Sequence, residues 1–91
     1  MASFSIQQFE HEPFWRFFNR VQNSLPINYG FNQWEMCEVL YEGLNDFSRN
    51  VVESTHNGQF QFLSLDDAWS YFNWLAQDTY EWDMSLNQSQ T

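Results

Sequence analysis

Apolar side chains recur at helical spacing in four segments of this chain, and short polar turns separate the segments. The first segment begins at Pro13, which suits a first helical turn because its missing N–H would be unpaired there. It ends near Ser24, since Leu25 precedes a proline and is biased away from helical geometry. One face of this first helix is predicted to be buried and carries Phe14, Phe17, Phe18 and Val21.

The second segment starts at Phe31 or Asn32 and ends near Gly43. Its apolar positions cover more than half of the helix circumference when wound at about 100° per residue. A small domain cannot usually bury so wide an arc with its own residues, so part of the arc is expected to meet another molecule. The arc contains Trp34, Met36, Cys37, Val39, Leu40, Tyr41 and Leu44.

A short third helix is predicted over residues 46–54, where Asn45 and Asp46 provide the cap. Phe47 and Val51 are expected to be its core contacts, because residues four apart lie on the same side of a helix.

The Asn57-Gly58 pair is a strong turn signal, and the alternating residues 59–63 are expected to form a brief extended segment. Ser64 is a good N-cap for a fourth helix, and two aspartates follow it at the positive end of the helix dipole. The buried stripe of this helix is predicted to contain Leu65, Ala68, Trp69, Phe72, Leu75 and Ala76.

Together these segments predict an all-α domain, a small bundle of four helices with an N-terminal extended arm. The arm is residues 1–8, where Phe4 and Ile6 alternate with polar positions. We expect the helical domain to span residues 1–83, and residues 84–91, which are polar, to form a flexible tail. A chain of 91 residues can form only a small core. Its ten Phe, five Trp and four Tyr offset this because each can bury a large apolar area.

The charge of the chain restricts the classes of partner that it is expected to bind. The net charge is −9, and the basic residues are three arginines with no lysine. Binding to phosphate backbones needs clustered basic side chains, so direct nucleic-acid binding is not expected. A membrane surface is also disfavoured, because anionic lipids would repel the chain. The acidity suits solubility or a basic partner surface.

The chemistry-bearing residues do not suggest an enzyme. Cys37 is the one cysteine, so no intrachain disulfide forms, and no metal-ligand spacing or cofactor motif is present. His11 and His56 are isolated beside turns, and no base lies one turn from Cys37. No signal-peptide pattern is visible, so an intracellular, cytoplasmic location is expected. We therefore expect no catalytic residue, no metal and no cofactor.

One polar pattern surrounds the start of the first helix. Gln8 and Glu12 precede Pro13, and Arg20 lies two turns inside the helix. A hairpin-like entry would let Gln8, Glu12 and Arg20 meet as a buried, charge-assisted hydrogen-bond knot, which is a structural feature without chemistry of its own. The pattern resembles the major homology region of retroviral and retrotransposon capsid proteins: Gln, Gly, two free positions, Glu, an aromatic-rich helix and an Arg eight residues after the Glu. Phe9 departs from it, because the family has Gly there.

Three further pieces resemble plant gypsy-class Gag proteins in matched order. Residues 34–44 resemble their second helix, residues 56–60 their short glycine-containing turn, and residues 65–76 their closing helix. The similarity covers roughly residues 8–82. The chain thus resembles a gypsy-class, plant-like retrotransposon Gag capsid domain, which implies a fold like the C-terminal domain of retroviral capsid proteins.

The resemblance implies a self-association module that forms a homodimer or a higher assembly. Members of the family assemble Gag chains into shells through a dimer contact centred on the second helix. Carried over to this chain, the contact would use Trp34, Cys37 and Tyr41. The alternative for Trp34 and Tyr41 is that they cover the first helix of their own chain.

The second functional hypothesis is a capsid-derived domain, repurposed by a host, that binds a peptide or a basic protein partner as a monomer. Aromatic residues off the buried stripe of the last helix would suit this role. Two other hypotheses rank lower, a transcription-factor dimerisation module and an acidic mimic of nucleic acid. The candidate partner-binding aromatics are Tyr71, Trp74, Tyr80 and Trp82.

Overall fold

The computed structural model describes residues 5–24 and 33–88, and the regular structure within them is helical, with no strand. A 3₁₀ turn at Phe60–Phe62 separates the last two of four α-helices. The predicted all-α bundle of four helices is therefore confirmed. The helices are α1 Phe14–Ser24, α2 Gln33–Gly43, α3 Asp46–Thr55 and α4 Leu65–Gln88.

Some expectations fall outside the described residues. These are the predicted start of α2 at Phe31 or Asn32, the first part of the arm, and the last residues of the predicted tail. None of the described helices is both long enough and apolar enough to cross a membrane.

The core forms where α1, α2 and α4 pack against one another. The ring of Phe14 stacks on Phe72 of α4, with centroids 5.7 Å apart. Phe17 and Leu40 are fully buried between the helices, as the apolar spacing of α1 and α2 predicts. The buried core contains Phe14, Phe17, Phe18, Val21, Met36, Cys37, Val39, Leu40, Leu44, Val52, Phe60, Ala68, Phe72 and Leu75.

The arm lies against the end of α2. The backbone N–H of Gln8 donates to the carbonyl oxygen of Gly43, with N and O 2.8 Å apart. A Cβ atom at Gly43 would collide with the carbonyl oxygen of Ile6 and lie 2.8 Å from the ring of Phe17. Glycine is therefore required here because it lets the arm approach the helix backbone.

The inward face of α3 differs from the prediction by one position. Phe47 is exposed and Val51 only half-buried, whereas Ser48 and Val52 face the core, so the expectation for Phe47 was wrong. The start of α3 is fixed at Asn45, whose side-chain oxygen accepts from the N–H of Ser48 at 2.8 Å and which is itself bonded to Gln8 and Phe9 of the arm.

The segment between α3 and α4 also differs from the prediction. The helix α3 ends in a turn at Asn57 and Gly58, both with positive φ, as the Asn-Gly signal predicts. Residues 60–62 are not extended but form the 3₁₀ turn, in which the N–H of Leu63 donates to the carbonyl of Phe60. This turn buries Phe60 in the core. Burial of this large ring therefore decided the local structure, and the alternating pattern of residues 59–63 did not.

The last helix is longer than expected. Ser64 caps α4, because its hydroxyl oxygen accepts from the N–H of Asp67 at 3.2 Å. The helix continues to Gln88, so residues 84–88 of the predicted tail are helical. Ala68, Phe72 and Leu75 are buried as predicted, but Leu65 is exposed because it lies in the first turn, at the edge of the bundle.

Candidate functional site

The side chains of Glu12 and Arg20 meet in a two-point ion pair. The guanidinium Nε donates to Glu12 Oε2 and an Nη donates to Oε1, each at 2.7 Å. The Glu12 side chain is 3% exposed and the Arg20 side chain 34%, so the pair lies at the boundary of the core. A two-point pair fixes the angle between the two side chains as well as their distance.

Gln8 joins this pair to the start of α3 through hydrogen bonds to Glu12 and Asn45. Its amide Nε2 donates to the main-chain oxygen of Glu12 at 2.7 Å. Its Oε1 accepts from the N–H of Asn45 at 3.0 Å. Asn45 in turn donates its side-chain amide to the carbonyl of Phe9, so the arm, α1 and α3 are tied at one point. We call Gln8, Glu12, Arg20 and Asn45 the polar knot.

Phe9 builds the turn of the arm without the glycine of the capsid pattern. The N–H of Glu12 donates to the carbonyl of Phe9 at 3.2 Å, and the φ of Phe9 is not positive, so a side chain is tolerated. The ring of Phe9 lies under the Arg20 guanidinium, 4.3 Å from centroid to carbon. Phe9 therefore contributes a cation–π contact that glycine could not make.

The electrostatics of the knot favour an ionised carboxylate. Burial of Glu12 opposes ionisation, but hydrogen bonds from Arg20 and the N–H of Phe9, with the Arg20 charge, outweigh it and lower its pKa below 4.5. The bond to Glu12 raises the pKa of Arg20 correspondingly. The knot is thus an ion pair at neutral pH and holds the arm in place.

The predicted interface residues of α2 take three different positions. Trp34 is 56% exposed, whereas Cys37 is buried in the core. Tyr41 is half-buried, and its ring stacks on Phe60 with centroids 5.5 Å apart. The Tyr41 hydroxyl donates to Glu53 at 3.2 Å, which anchors the ring to α3. Most of the wide apolar arc of α2 is therefore used by the core of its own chain.

These three residues nevertheless line one cavity of about 390 Å³, which we call the Trp34 groove. It lies between α2, the 3₁₀ turn and the first turns of α4. Glu38 is the charged residue in its described lining, and the other lining residues are apolar or neutral. Its lining is Trp34, Cys37, Glu38, Tyr41, Phe60, Gln61, Leu63, Leu65 and Ala68.

The lining of the groove contains the thiol of Cys37. Burial raises the pKa of the Cys37 thiol to about 11, so it is protonated at neutral pH and a poor nucleophile. Across the described parts of the chain, no cluster of three or more His, Cys, Asp or Glu side chains is placed to bind a metal ion.

The four candidate aromatics of α4 do not form one surface. Tyr71 packs edge-on against His56 at 4.5 Å and lies beside Trp74, which is exposed. Tyr80 faces another side of the helix and contacts Trp15 edge-on at 5.2 Å. Trp82 lies near Phe47, a residue that the sequence wrongly assigned to the core. Only the structure shows that Trp82 and Phe47 line the same groove.

Comparison of the chain with protein-family models, with curated proteins and with solved structures gave no match to any of the three.

Proposed function

We propose that the chain is a capsid-type self-association module that forms a homodimer through the Trp34 groove. One observation carries the proposal: a large aromatic side chain, Trp34, stands exposed at the edge of a groove whose lining is mostly apolar. Exposed apolar surface of this kind usually belongs to an interface.

The groove and Trp34 are suited to two-fold symmetry. In an isologous dimer the same patch meets itself, so each copy must offer both a protrusion and a recess. Trp34 is the protrusion, and the recess is the surface between Tyr41, Leu63 and Leu65 of the other copy. Tryptophan is also one of the residue types that most often dominate binding energy.

The polar knot supports the family assignment in this proposal. Glu12 and Arg20 pair at the offsets of the capsid motif, and Gln8 binds the main chain of Glu12. This geometry is what the resemblance to Gag capsid domains implies, and the same resemblance implies dimerisation through the second helix. In this proposal the chain is a structural protein of the cell interior and performs no catalysis; the buried, protonated Cys37 thiol is in keeping with both.

The net charge of the chain should make the affinity of the proposed dimer depend on salt concentration. Each copy carries −9, and two like-charged copies repel one another at low ionic strength. Salt screens such repulsion, since the Debye length falls from roughly 30 Å at 0.01 M to 3 Å at 1 M. The proposed dimer therefore tightens as salt is added.

Light scattering on a sizing column over a wide range of concentrations tests the proposal. The wild type is expected to pass from monomer to dimer, and Trp34→Ala to require at least about 10-fold more protein to do so. Trp74→Ala is the matched control, because Trp74 is also 56% exposed but lies outside the groove lining. A wild type that is monomeric at every concentration would refute the proposal.

A further inference from the structure

A second groove lies on another side of the molecule, between the start of α1, α3 and the later part of α4. It encloses about 350 Å³ and shares no lining residue with the Trp34 groove. The apolar part of its lining, which we call its floor, includes Pro13, Phe14, Val51 and Leu75. We call it the Phe47–Trp82 groove, after the two side chains that stand beside this floor.

Phe47 and Trp82 are among the most exposed aromatic residues described, at 75% and 68%. Phe47 lies in the first turn of α3, whose start is fixed at the Asn45 cap, and the continuation of α4 past residue 83 supports Trp82 within a helix. Their position is therefore a product of the fold and not of a frayed end. Two large exposed rings beside an apolar floor form the kind of patch that binds a partner.

The charge around this groove is of one sign. Asp78 and Asp83 lie in its lining together with Trp82, and the described lining contains no basic residue. Arg20 is paired with Glu12, Arg49 lies over Tyr41, and Arg16 lies over Trp15. Asp83 accepts a hydrogen bond from the Trp15 indole at 3.2 Å, which holds the carboxylate in place without neutralising it.

We propose that the Phe47–Trp82 groove binds a short segment of another protein, in which a large apolar side chain is flanked by lysine or arginine. The apolar side chain occupies the floor between the two rings, where it is removed from water. The basic side chains meet Asp78 and Asp83, where charge complementarity steers and orients the segment.

Charge argues against a second copy of this chain as the occupant. A symmetric pairing of this groove with itself would bring Asp78 and Asp83 of both copies together, and like charges across an interface are costly. The Trp34 groove carries a single glutamate in its described lining, so the two surfaces suit different occupants. This inference goes beyond the proposed self-association and does not depend on it.

Selection from a random dodecamer peptide library tests this inference on the full chain. The selection is first depleted on the Trp82→Ala variant, so that surviving peptides require this groove. Enriched peptides are expected to combine Leu, Phe or Trp with at least two Lys or Arg. Enrichment of no Trp82-dependent peptide, or of peptides without basic residues, would overturn the proposal.

Affinity measurements on one selected peptide then separate the contribution of the aromatic rings from that of the acidic side chains. Phe47→Ala and Trp82→Ala are expected to weaken binding at least about 10-fold, and Asp78→Asn about threefold. Trp74→Ala is the control with unchanged affinity, and circular dichroism checks that each variant is folded. Binding should weaken as salt is added. If Trp82→Ala instead lowers self-association of the protein alone, the occupant is a second copy and the proposal is wrong.

Discussion

The polar knot and the Trp34 groove differ in whether their most prominent side chains have partners within their own chain. In the knot, each side chain has a fixed partner in its own chain, from the Glu12–Arg20 ion pair to the bond between Gln8 and the N–H of Asn45. In the groove, Trp34 is more than half exposed beside an apolar recess. The motif residues hold the fold together, whereas the proposed association depends on a residue that the fold does not need.

Substitutions in these two regions should therefore change different properties of the protein. Changes in the knot should lower the free energy of unfolding, and changes at Trp34 should lower the affinity of the dimer with little loss of stability. The largest effect is expected at the point where the arm is closest to α2.

Gly43→Ala should lower the free energy of unfolding by about 3 kcal/mol, at the upper end of the range for overpacking. The added Cβ meets a backbone oxygen of Ile6, which cannot rotate away as a side chain would. Urea denaturation followed by circular dichroism measures the loss. Gly58→Ala is the matched control, where the cost is only that of a positive φ in open space, about 1 kcal/mol. A smaller loss at Gly43 than at Gly58 would show that the arm is not docked as described.

Glu12→Ala should lower the free energy of unfolding by about 2–3 kcal/mol. This lies between the ~3–5 kcal/mol of a buried pair that loses one partner and the ~0–1 kcal/mol of an exposed pair, because Arg20 is partly hydrated. Arg20→Met and the double variant complete a cycle that isolates the coupling between the two side chains. A coupling near zero would make the motif a chance similarity.

Lowering the pH should reduce the contribution of the knot to the free energy of unfolding. The pKa of Glu12 in the folded protein lies below its ordinary 4.5, so the pair stabilises the fold above that pH. This contribution is lost as the pH falls through the lowered pKa of the folded state. The difference in unfolding free energy between the wild type and Glu12→Gln should therefore shrink between about pH 6 and pH 3. A difference that stays constant over this range would contradict an ionised Glu12.

Phe9→Leu should have the smallest effect, a loss of about 0.5–1 kcal/mol, because it removes one exposed cation–π contact. Phe62→Leu is the matched control, since Phe62 is also an exposed phenylalanine, and it should change stability less. Equal losses in the two variants would show that the Phe9 ring does not stabilise Arg20.

Sequence patterns predicted the parts of this molecule that depend on local spacing. The face of α1 with Phe14 and Phe17 follows from helical periodicity, and the offsets of Glu12 and Arg20 imply their contact. The rotation of α3 could not be predicted in this way, because residues 47 and 51 have the same spacing as residues 48 and 52. The bonds that tie Asn45 to Gln8 and Phe9, and so fix the start of α3 against the arm, join residues far apart in the sequence.

The two proposed interaction surfaces were harder to predict than the fold. Cys37 and Tyr41 follow Trp34 on one face of α2, but the core of the chain takes up most of their surface. Phe47 of α3 and Trp82 of α4 line the same groove, and no local sequence pattern relates two exposed rings so far apart in the chain. Exposure is decided by the packing of whole helices, so it becomes visible only in three dimensions.

The most direct test of the central claim measures dimer affinity and unfolding free energy together for Trp34→Ala and Trp74→Ala. Sedimentation equilibrium at low and high salt gives the affinity, and urea denaturation gives the stability. We predict that Trp34→Ala weakens the dimer at least about 10-fold at either salt concentration and changes stability by no more than about 0.5 kcal/mol. Trp74→Ala should change neither. A Trp34→Ala variant that dimerises like the wild type, or that unfolds, would contradict the account.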